Sequence, residues 1–294
     1  MTERFATPPL AELRKTIVAV LPEHAGSDLT MLNAGWDCVG VDADGAWIFK
    51  FPRHPEAGRR LRKEARILAM VRAHAQVPVP DLVLFEGPAL FSRHRKLPGT
   101  FLETADYLPL TEIQRDAIAE QMAGLYAALH AIPHAEARAA GATGIDEWML
   151  PAEVARSAPH LPPHLLPHLA PTLAAYAAEL ARQPLEQVYG YFDGHGWNMA
   201  FDTAAGVLNG VYDFADSGFG PRHQDLSYSN WISRDLTLRI IARYERMTGI
   251  GIDRDRVMLY SAMLRFIEYA GAAPDRDDVA DRLAAIETWF AGRA

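Results

Sequence analysis

Residues 190–203 read GYFDGHGWNMAFDT, and this stretch decides how the rest of the chain is interpreted. It places Asp193 and Asn198 five residues apart on a segment that glycines interrupt. A further aspartate, Asp213, follows the next apolar run, in the sequence GVYDFADSG. Carboxylate and amide oxygens are hard ligands of the kind that Mg²⁺ prefers, and a carboxylate also accepts a proton. The pattern therefore indicates a site that holds a cation and handles a proton.

The composition indicates a globular protein of one large domain or two lobes. The chain has 294 residues, of which 49% are hydrophobic and 22% are charged. Its formal net charge is −8, which argues against a nucleic-acid partner because phosphates favour a basic face. The same charge agrees with a cationic small-molecule substrate, although an acidic surface also serves solubility alone.

The sequence predicts a cytoplasmic protein without a membrane segment. No run approaches the roughly 20 apolar residues of a membrane helix, and the start MTERFATPPL lacks the pattern of a secretion signal. Cys38 is the only cysteine, so no internal disulfide can form. This cysteine content fits a reducing compartment.

Residues 1–97 are expected to form a small antiparallel sheet with a helix. Aromatic and β-branched residues lie on both sides of Asp44-Gly45, a strong signal for a hairpin. Apolar spacing predicts a helix from about Glu56 to His74, after a short amphipathic helix over residues 9–22. VPVPDLVLF and ALFSRHRKL read as two further strands. We expect this part to be the first of two lobes.

Residues 98–294 are expected to form a mainly helical second lobe, which makes the fold class α+β. Thr111 and Gln114 form a capping box, and helical spacing recurs near 171–183, 235–248, 254–271 and 277–291. The strand-like interruption at 187–213 contains the opening stretch. PHLPPHLLPHLAP places His160, His164 and His168 four apart, but its prolines predict a loop or broken helix rather than a metal site.

The polar residues fit phosphoryl transfer, which needs a carboxylate to orient the attacking hydroxyl, a metal and a lysine for the phosphates. Asp193 can be the base, with Asn198 and Asp213 as metal ligands. Lys50 ends the apolar strand WIFKFP, and Glu64 follows fourteen residues later on the next helix. A lysine, a glutamate, D-x4-N and an aspartate in this order are typical of kinase machinery. The alternative is that Asp193 and Asn198 merely cap a turn.

The chain resembles the aminoglycoside phosphotransferases of the protein-kinase-like fold, and most closely their 2''-phosphotransferase branch. The stretches that carry the resemblance are NAGWDCVGV (33–41), IFKFPR (48–53), RKEARILAMV (62–71), PVPD (78–81), RKLPGTFL (95–102), YFDGHGWNMAFD (191–202) and GVYDFADSGFGPRHQDLS (210–227). They extend over most of the chain.

The resemblance implies a role for each matched position. Asp193 would be the catalytic base, Asn198 and Asp213 would be Mg²⁺ ligands, and Asp225 would brace the catalytic loop from behind. ATP or GTP would be the phosphoryl donor, with Lys50 on its phosphates. The other nucleotide-binding positions would be Glu64, which holds Lys50, the turn residues Asn33, Gly35, Trp36 and Asp37, and the hinge residues Arg95, Lys96 and Leu97.

The chain departs from the family pattern at three places. Tyr191 stands where the family commonly has histidine, and it can pack and donate a hydrogen bond in the same way. Gly196-Trp197 replaces the usual Pro-Gly ahead of the asparagine. The segment SYSNWISRDLTLRI carries Arg234 and few acids, whereas the 2''-enzymes grip amino sugars with a cluster of acids there. A polycation gains less from such a segment.

Candidate substrate contacts are His195, Trp197, Asp216, Tyr260 and Glu268. His195 matches a frequent family histidine, and Trp197 lies inside the catalytic loop. Tyr260 and Glu268 lie in the helical sequence VMLYSAMLRFIEYA, where the alternative for aromatic residues is packing in the core.

We therefore predict a monomeric Mg²⁺-dependent kinase that transfers the γ-phosphoryl group of ATP or GTP to a hydroxyl of an aminoglycoside antibiotic. The alternatives are a kinase for a macrolide or for a cellular amino alcohol or sugar, and an inactive pseudokinase that binds nucleotide. The sequence leaves open the nucleotide and the hydroxyl that is phosphorylated.

Overall fold

The structure, a computed structural model, describes residues 7–32, 37–87, 89–145, 151–155, 158–182, 186–271 and 279–292. Within these ranges no helix combines the length and the apolar character that crossing a bilayer requires.

The first part of the chain folds into a five-stranded antiparallel sheet. Its strands are β1 Leu29–Leu32, β2 Cys38–Ala43, β3 Trp47–Pro52, β4 Val83–Glu86 and β5 Leu90–Arg95, in the order β1-β2-β3-β5-β4. Asp44 and Gly45 are the central residues of the turn between β2 and β3, which Ala46 N–H closes by donating to the Ala43 carbonyl at 3.0 Å. Their φ angles of 58° and 65° are left-handed, as a type I′ turn requires, so the predicted hairpin is confirmed.

Two helices accompany this sheet. Helix α1 (Leu10–Val20) buries Ile17 in an apolar cluster with β2 and β3 residues such as Val41 and Phe49. Helix α2 (Pro55–His74) begins where the His54 ring accepts a hydrogen bond of 3.1 Å from Ala57 N–H. Because apolar residues line the buried face of α2, its single buried acid, Glu64, is held at a fixed place behind the sheet.

The second part of the chain is mainly helical. Its helices are α3 Thr104–Tyr107, α4 Glu112–His130, α5 His134–Ala139, α6 Pro151–Ala155, α7 Leu166–Leu180, α8 Arg222–Asp225, α9 Arg234–Thr248, α10 Arg254–Gly271 and α11 Val279–Phe290. The predicted capping box is present at α4, where Thr111 Oγ1 accepts from Gln114 N–H at 3.3 Å and Gln114 Oε1 accepts from Thr111 N–H at 2.8 Å. Helices α4 and α9 pack together in the largest core cluster, which also reaches α2.

Four short strands interrupt the helices and carry the polar loops. Strand β6 (Gln187–Gly190) pairs with β9 (Gly218–Pro221), and β7 (Met199–Asp202) pairs with β8 (Val207–Val211). The sequence does not indicate β9, because its residues GFGP contain two glycines and a proline. Tight packing explains the first glycine, since a Cβ on Gly218 would lie 2.5 Å from the Thr143 carbonyl oxygen.

The histidine-rich segment is a broken helix, as predicted. A 3-10 turn at Ala158–His160 precedes α7, and His164 and His168 contact Glu287 and Phe290 of α11. No group of three potential ligands of a metal ion occurs in the described ranges.

Candidate active site

Lys50 connects the sheet to the polar loop that follows β8. Its Nζ atom lies 3.0 Å from Glu64 Oε1 and 3.4 Å from Asp213 Oδ1. Burial alone would lower the pKa of Lys50, but the carboxylates of Asp213 and Glu64 outweigh it and raise that pKa. The ammonium group therefore stays charged in the cleft, and residues 163 positions apart meet there.

Glu64 also positions the segment after Asp213. Its Oε1 accepts a hydrogen bond of 3.2 Å from Phe214 N–H, while its side chain is only 3% exposed. Asp213 itself has a φ of 62°, a conformation that non-glycine residues rarely adopt. Its side chain is 48% exposed, so the constrained backbone presents the carboxylate to the cleft.

The loop that carries Asp193 is held from behind by Asp225. This fully buried carboxylate accepts hydrogen bonds from Tyr191 N–H at 3.0 Å and from Phe192 N–H at 2.5 Å. His130 Nε2 lies 2.9 Å from Asp225 Oδ2. Phe192 has a φ of 56°, and the short hydrogen bond stabilises this unfavourable backbone. The contacts are those expected of a brace at position 225.

Tyr191 fills the place where the family commonly has histidine. It is fully buried, its ring centroid lies 4.7 Å from that of Phe214, and its hydroxyl donates to the Tyr212 carbonyl. The residue therefore both packs and donates a hydrogen bond, as the sequence suggested, and it ties the Asp193 loop to the Asp213 loop.

Asn198 and Asp213 have the donor atoms that a magnesium ion needs. Asn198 Nδ2 donates to the Asp193 carbonyl oxygen at 3.1 Å, so the amide nitrogen is used inside the loop and the amide oxygen is left for a cation. Tyr212 N–H donates to the Asn198 carbonyl at 3.1 Å, which holds the two candidate ligands side by side. One amide oxygen and one carboxylate match the preference of Mg²⁺ for hard oxygen ligands.

Asp193 lies in a strongly acidic setting. Burial raises its pKa well above the ordinary value, and repulsion from Asp213, Asp216 and Glu268 adds to the effect. A cation that binds among these carboxylates acts in the opposite direction, because it stabilises the ionised form of Asp193. The site is therefore suited to a positively charged or metal-bound ligand.

His195 lies beside Asp193 and away from solvent. Its Nε2 is 3.5 Å from Asp193 Oδ1, and its ring stacks on Trp197 with centroids 4.1 Å apart. Burial lowers the pKa of His195 to about 3, so the ring is neutral. With 3% exposure it offers almost no surface to a substrate, which corrects the expectation of direct substrate contact. Its place in the stack indicates that it positions Asp193 and Trp197.

The other substrate candidates divide into accessible and inaccessible residues. Trp197 is 38% exposed, and the side chain of Asp216 is 58% exposed and lies 3.1 Å from Arg60 NH1. Glu268 is partly exposed and pairs with Arg282 of α11. Tyr260 is fully buried and packs edge-on against Tyr176, so the expectation that it contacts the substrate is wrong. The alternative, packing in the core, is the observed role.

The nucleotide-side candidates are only partly within the described ranges. Asn33, Gly35 and Trp36 lie outside them, whereas Asp37 lies 3.6 Å from both His54 Nε2 and Arg60 NH1. These contacts hold the end of the turn against the start of α2.

The side chains of the hinge residues all make contacts within the protein. The Arg95 guanidinium lies 4.1 Å from the centre of the Trp47 ring, and Lys96 Nζ donates to Asp42 Oδ2 at 2.6 Å. Leu97 packs against β8, since a Cβ on Gly210 would lie 2.5 Å from Leu97 Cδ1. Any hinge contact with a purine would therefore use backbone groups, as the resemblance implies.

A cavity of about 330 Å³ opens beside the catalytic loop. Its apolar walls include Leu102, Trp197, Trp231 and Ile232, and Glu103 and Thr104 add polar groups. Sequence inspection did not single out Trp231, because nothing local distinguishes it from a core tryptophan. Its ring lies 6.1 Å from that of Trp197, so the two indoles form one aromatic wall.

Gly194 leaves room for a buried tyrosine beneath the loop. A Cβ at this position would lie 2.2 Å from the Tyr126 hydroxyl oxygen but 3.4 Å from Cζ. We expect Gly194→Ala to lower the free energy of unfolding by about 2 kcal/mol, because the core is overpacked. Tyr126→Phe removes the clashing oxygen, so Gly194→Ala/Tyr126→Phe should recover most of the loss. Urea unfolding of both variants and of Tyr126→Phe alone checks this, and equal loss without recovery would contradict the clash.

Solved structures of known phosphotransferases share this architecture. The GDP complex of wild-type aminoglycoside 2'-phosphotransferase-IIIa superimposes with a TM-score of 0.82 at 20% identity, covering 97% of this chain and 99% of that one. The streptomycin–ATP–APH(2")-IIa ternary complex gives a TM-score of 0.69 at 15% identity, with coverage of 97% and 99%. The macrolide 2'-phosphotransferase MphH from Brachybacterium faecium gives 0.63 at 20% identity, with coverage of 92% and 98%.

These likenesses confirm the α+β protein-kinase-like fold. No curated protein sequence matches the chain. The model of the phosphotransferase enzyme family does match, over residues 32–260, which contain Lys50, Glu64, Asp193, Asn198 and Asp213. The match covers well over half of the chain, and the protein therefore belongs to the phosphotransferase enzyme family.

Proposed function

We propose that the protein transfers the γ-phosphoryl group of ATP or GTP to a hydroxyl of an aminoglycoside in a Mg²⁺-dependent reaction. One observation carries the proposal: Lys50 of β3 lies 3.4 Å from Asp213. The Asp213 loop is joined to the loop of Asp193 and Asn198, because Tyr212 N–H donates to the Asn198 carbonyl at 3.1 Å. The nucleotide would bind to the lobe formed by residues 1–97, and the acceptor to residues 98–294. The similarity to GDP- and kanamycin-bound APH(2")-IIIa, at a TM-score of 0.82, supports the acceptor class.

Lys50 would bind the nucleotide phosphates. Its ammonium group is held charged by two carboxylates, and Glu64 fixes its position from the buried side of the sheet. Glu64 simultaneously holds Phe214 N–H, so the phosphate-binding lysine and the Asp213 loop are positioned by the same group. Phosphoryl transfer depends on positioning and charge stabilisation, which this coupling supplies.

Asn198 and Asp213 would hold the Mg²⁺ ion, which supplies positive charge next to the phosphates when bound. Asp193 would orient the acceptor hydroxyl and take its proton. The Asp225 hydrogen bonds and the stack of His195 on Trp197 hold the Asp193 loop in place, so the base is fixed before the acceptor arrives. The complete set of polar residues speaks against an inactive pseudokinase.

A second candidate acceptor is a molecule with a large apolar face, such as a macrolide. The cavity beside the catalytic loop favours it, because Trp197 and Trp231 present aromatic surface and Glu103 is the only acid among the lining residues that the structure describes. The macrolide 2'-phosphotransferase type I structure, similar at a TM-score of 0.66 and 20% identity, supports this candidate.

We also propose that the protein acts in the cytoplasm as a monomer, without a nucleic-acid partner. The single cysteine and the net charge of −8 support the compartment and the absence of nucleic acid.

The reaction is tested with a panel of purified acceptors. Aminoglycosides, macrolides and simple amino alcohols are each incubated with ATP or GTP, and phosphorylated product is detected by mass spectrometry. We expect aminoglycoside turnover that EDTA abolishes and excess Mg²⁺ restores, because the metal ion held by Asn198 and Asp213 would supply positive charge that phosphoryl transfer needs. Turnover of macrolides alone would reject the aminoglycoside acceptor. If no acceptor in the panel is phosphorylated, nucleotide binding would be the only part of the proposed function that stands.

A further inference from the structure

We propose that Arg282 is a specificity-determining residue: it occupies the Glu268 carboxylate, where an ammonium group of a cationic acceptor would otherwise bind, and so weakens binding of polycations. The inference rests on the proposed function and concerns the acceptor side of the same site.

Glu268 and Arg282 lie on neighbouring helices beside the catalytic loop. Glu268 of α10 forms an ion pair with Arg282 of α11, and each side chain is 23% exposed. One helical turn before Glu268, the Arg265 guanidinium stacks 4.8 Å from the Trp231 ring centre. Trp231 in turn lies 5.7 Å from the His195 ring. Arg265 and Trp231 therefore connect α10 to the catalytic loop, and the Glu268–Arg282 pair lies one helical turn further along α10, with part of it accessible.

Helix α10 packs beside the loop that carries Asp193. Leu264 and Ile267 of α10 share an apolar cluster with Phe192, the residue directly before Asp193. Glu268 follows Ile267 and lies one helical turn after Arg265, whose guanidinium covers the cavity-lining Trp231. The Glu268–Arg282 pair is therefore close to the space where an acceptor hydroxyl must lie.

Other acids around Asp193 also have basic partners. Asp213 lies 3.4 Å from Lys50, and Asp216 lies 3.1 Å from Arg60 NH1. An ammonium group that enters the site must therefore compete with a resident cation at each of these carboxylates. Arginine is a strong competitor, because its planar guanidinium forms charge-assisted hydrogen bonds with carboxylates.

Among the basic residues of these pairs, Arg282 is the one whose replacement tests acceptor binding alone. Lys50 is part of the proposed phosphate site, and Arg60 also lies 3.6 Å from Asp37 on the nucleotide side, so changing either would disturb nucleotide binding. Arg282 belongs to α11, which is far along the sequence from the sheet that would bind the nucleotide. Its removal should change acceptor binding while nucleotide affinity stays the same.

The test compares Arg282→Gln with the wild type and with Arg246→Gln. Arg246 pairs with Glu120 at 2.6 Å on an exposed surface of α9 and α4, so the control removes the same charge from a surface ion pair. Kanamycin binding is measured by isothermal titration calorimetry in the presence of a non-hydrolysable nucleotide and Mg²⁺. We expect Arg282→Gln to bind kanamycin about tenfold more tightly than the wild type and Arg246→Gln to match the wild type.

A double variant shows whether the gain arises at Glu268. Arg282→Gln/Glu268→Gln should lose the tenfold gain, because the carboxylate that receives the ammonium group is then absent. Unchanged affinity in Arg282→Gln, no detectable kanamycin binding in any variant, or a gain that persists in the double variant would each overturn the inference.

Two measurements on the same wild-type protein report separately on the proposed function. They are the nucleotide affinity and the turnover that depends on Asp193. Normal values there together with unchanged kanamycin affinity in Arg282→Gln would reject the role of Arg282 alone.

Discussion

Asp193→Asn should reduce kcat by about 10³-fold while leaving nucleotide affinity within about twofold of the wild type. The asparagine keeps the size of the side chain but cannot accept the acceptor's proton. Lys50, Glu64 and Asp213 are unchanged, so the proposed phosphate site is preserved. Coupled measurement of nucleoside diphosphate release gives kcat, and calorimetric titration of a non-hydrolysable nucleotide gives the affinity.

Asp202→Asn is a matched control for this experiment. Asp202 ends β7, the strand that follows the Asp193 loop, and it is exposed and accepts from Ala205 N–H at 3.0 Å. It should retain the wild-type kcat. If Asp193→Asn also retains it, another group is the base and the proposed role of Asp193 is wrong.

The polar residues of the site could be predicted because each lies in a recognisable local pattern. Lys50 is the one charged residue of the apolar strand WIFKFP, helical spacing follows through Glu64, and short apolar runs flank Asp193 and Asp213. The structure brings Lys50, Glu64 and Asp213 into contact, and Asn198 contacts the Asp193 backbone. Their catalytic and metal-binding roles remain predictions.

Other contacts between distant elements could not be predicted, because neither a local pattern nor the family resemblance indicates them. The Tyr126 hydroxyl beneath Gly194 comes from α4, and the Arg282 partner of Glu268 comes from the next helix. The buried substrate candidates failed for the same reason. Spacing in α10 shows that Tyr260 is on a helix, but only the packing of α7 against α10 shows that its ring is buried.

The loops that carry Asp193 and Asp213 share one structural feature, which no local sequence pattern indicates. Phe192 and Asp213 have positive φ angles of 56° and 62°, and each such residue costs on the order of 1–2 kcal/mol. In each loop a buried carboxylate accepts a nearby N–H: Asp225 from Phe192 at 2.5 Å and Glu64 from Phe214 at 3.2 Å. The strained backbone that presents Asp193 and Asp213 is thus stabilised by acids that do not face the cleft.

Asp225→Ala should be the most destabilising of the substitutions considered for this site. It removes the acceptor of two buried N–H groups and the partner of His130. It also leaves a cavity against Gly190, because Asp225 packs so closely there that a Cβ added to Gly190 would lie 2.4 Å from Asp225 Oδ2. Hydrogen bonds to a charged group contribute about 1.5–3 kcal/mol each, so we expect a loss of about 3–5 kcal/mol in the free energy of unfolding.

Asp225→Asn is the matched variant, because it keeps the volume and one acceptor oxygen and should lose about half as much. Urea unfolding followed by circular dichroism measures both losses, and kcat should fall in the same order because the Asp193 loop depends on these bonds. Equal losses for the two variants would assign the effect to charge rather than to the two N–H groups. A loss below about 1 kcal/mol in Asp225→Ala would show that the strained Phe192 backbone is held by other contacts.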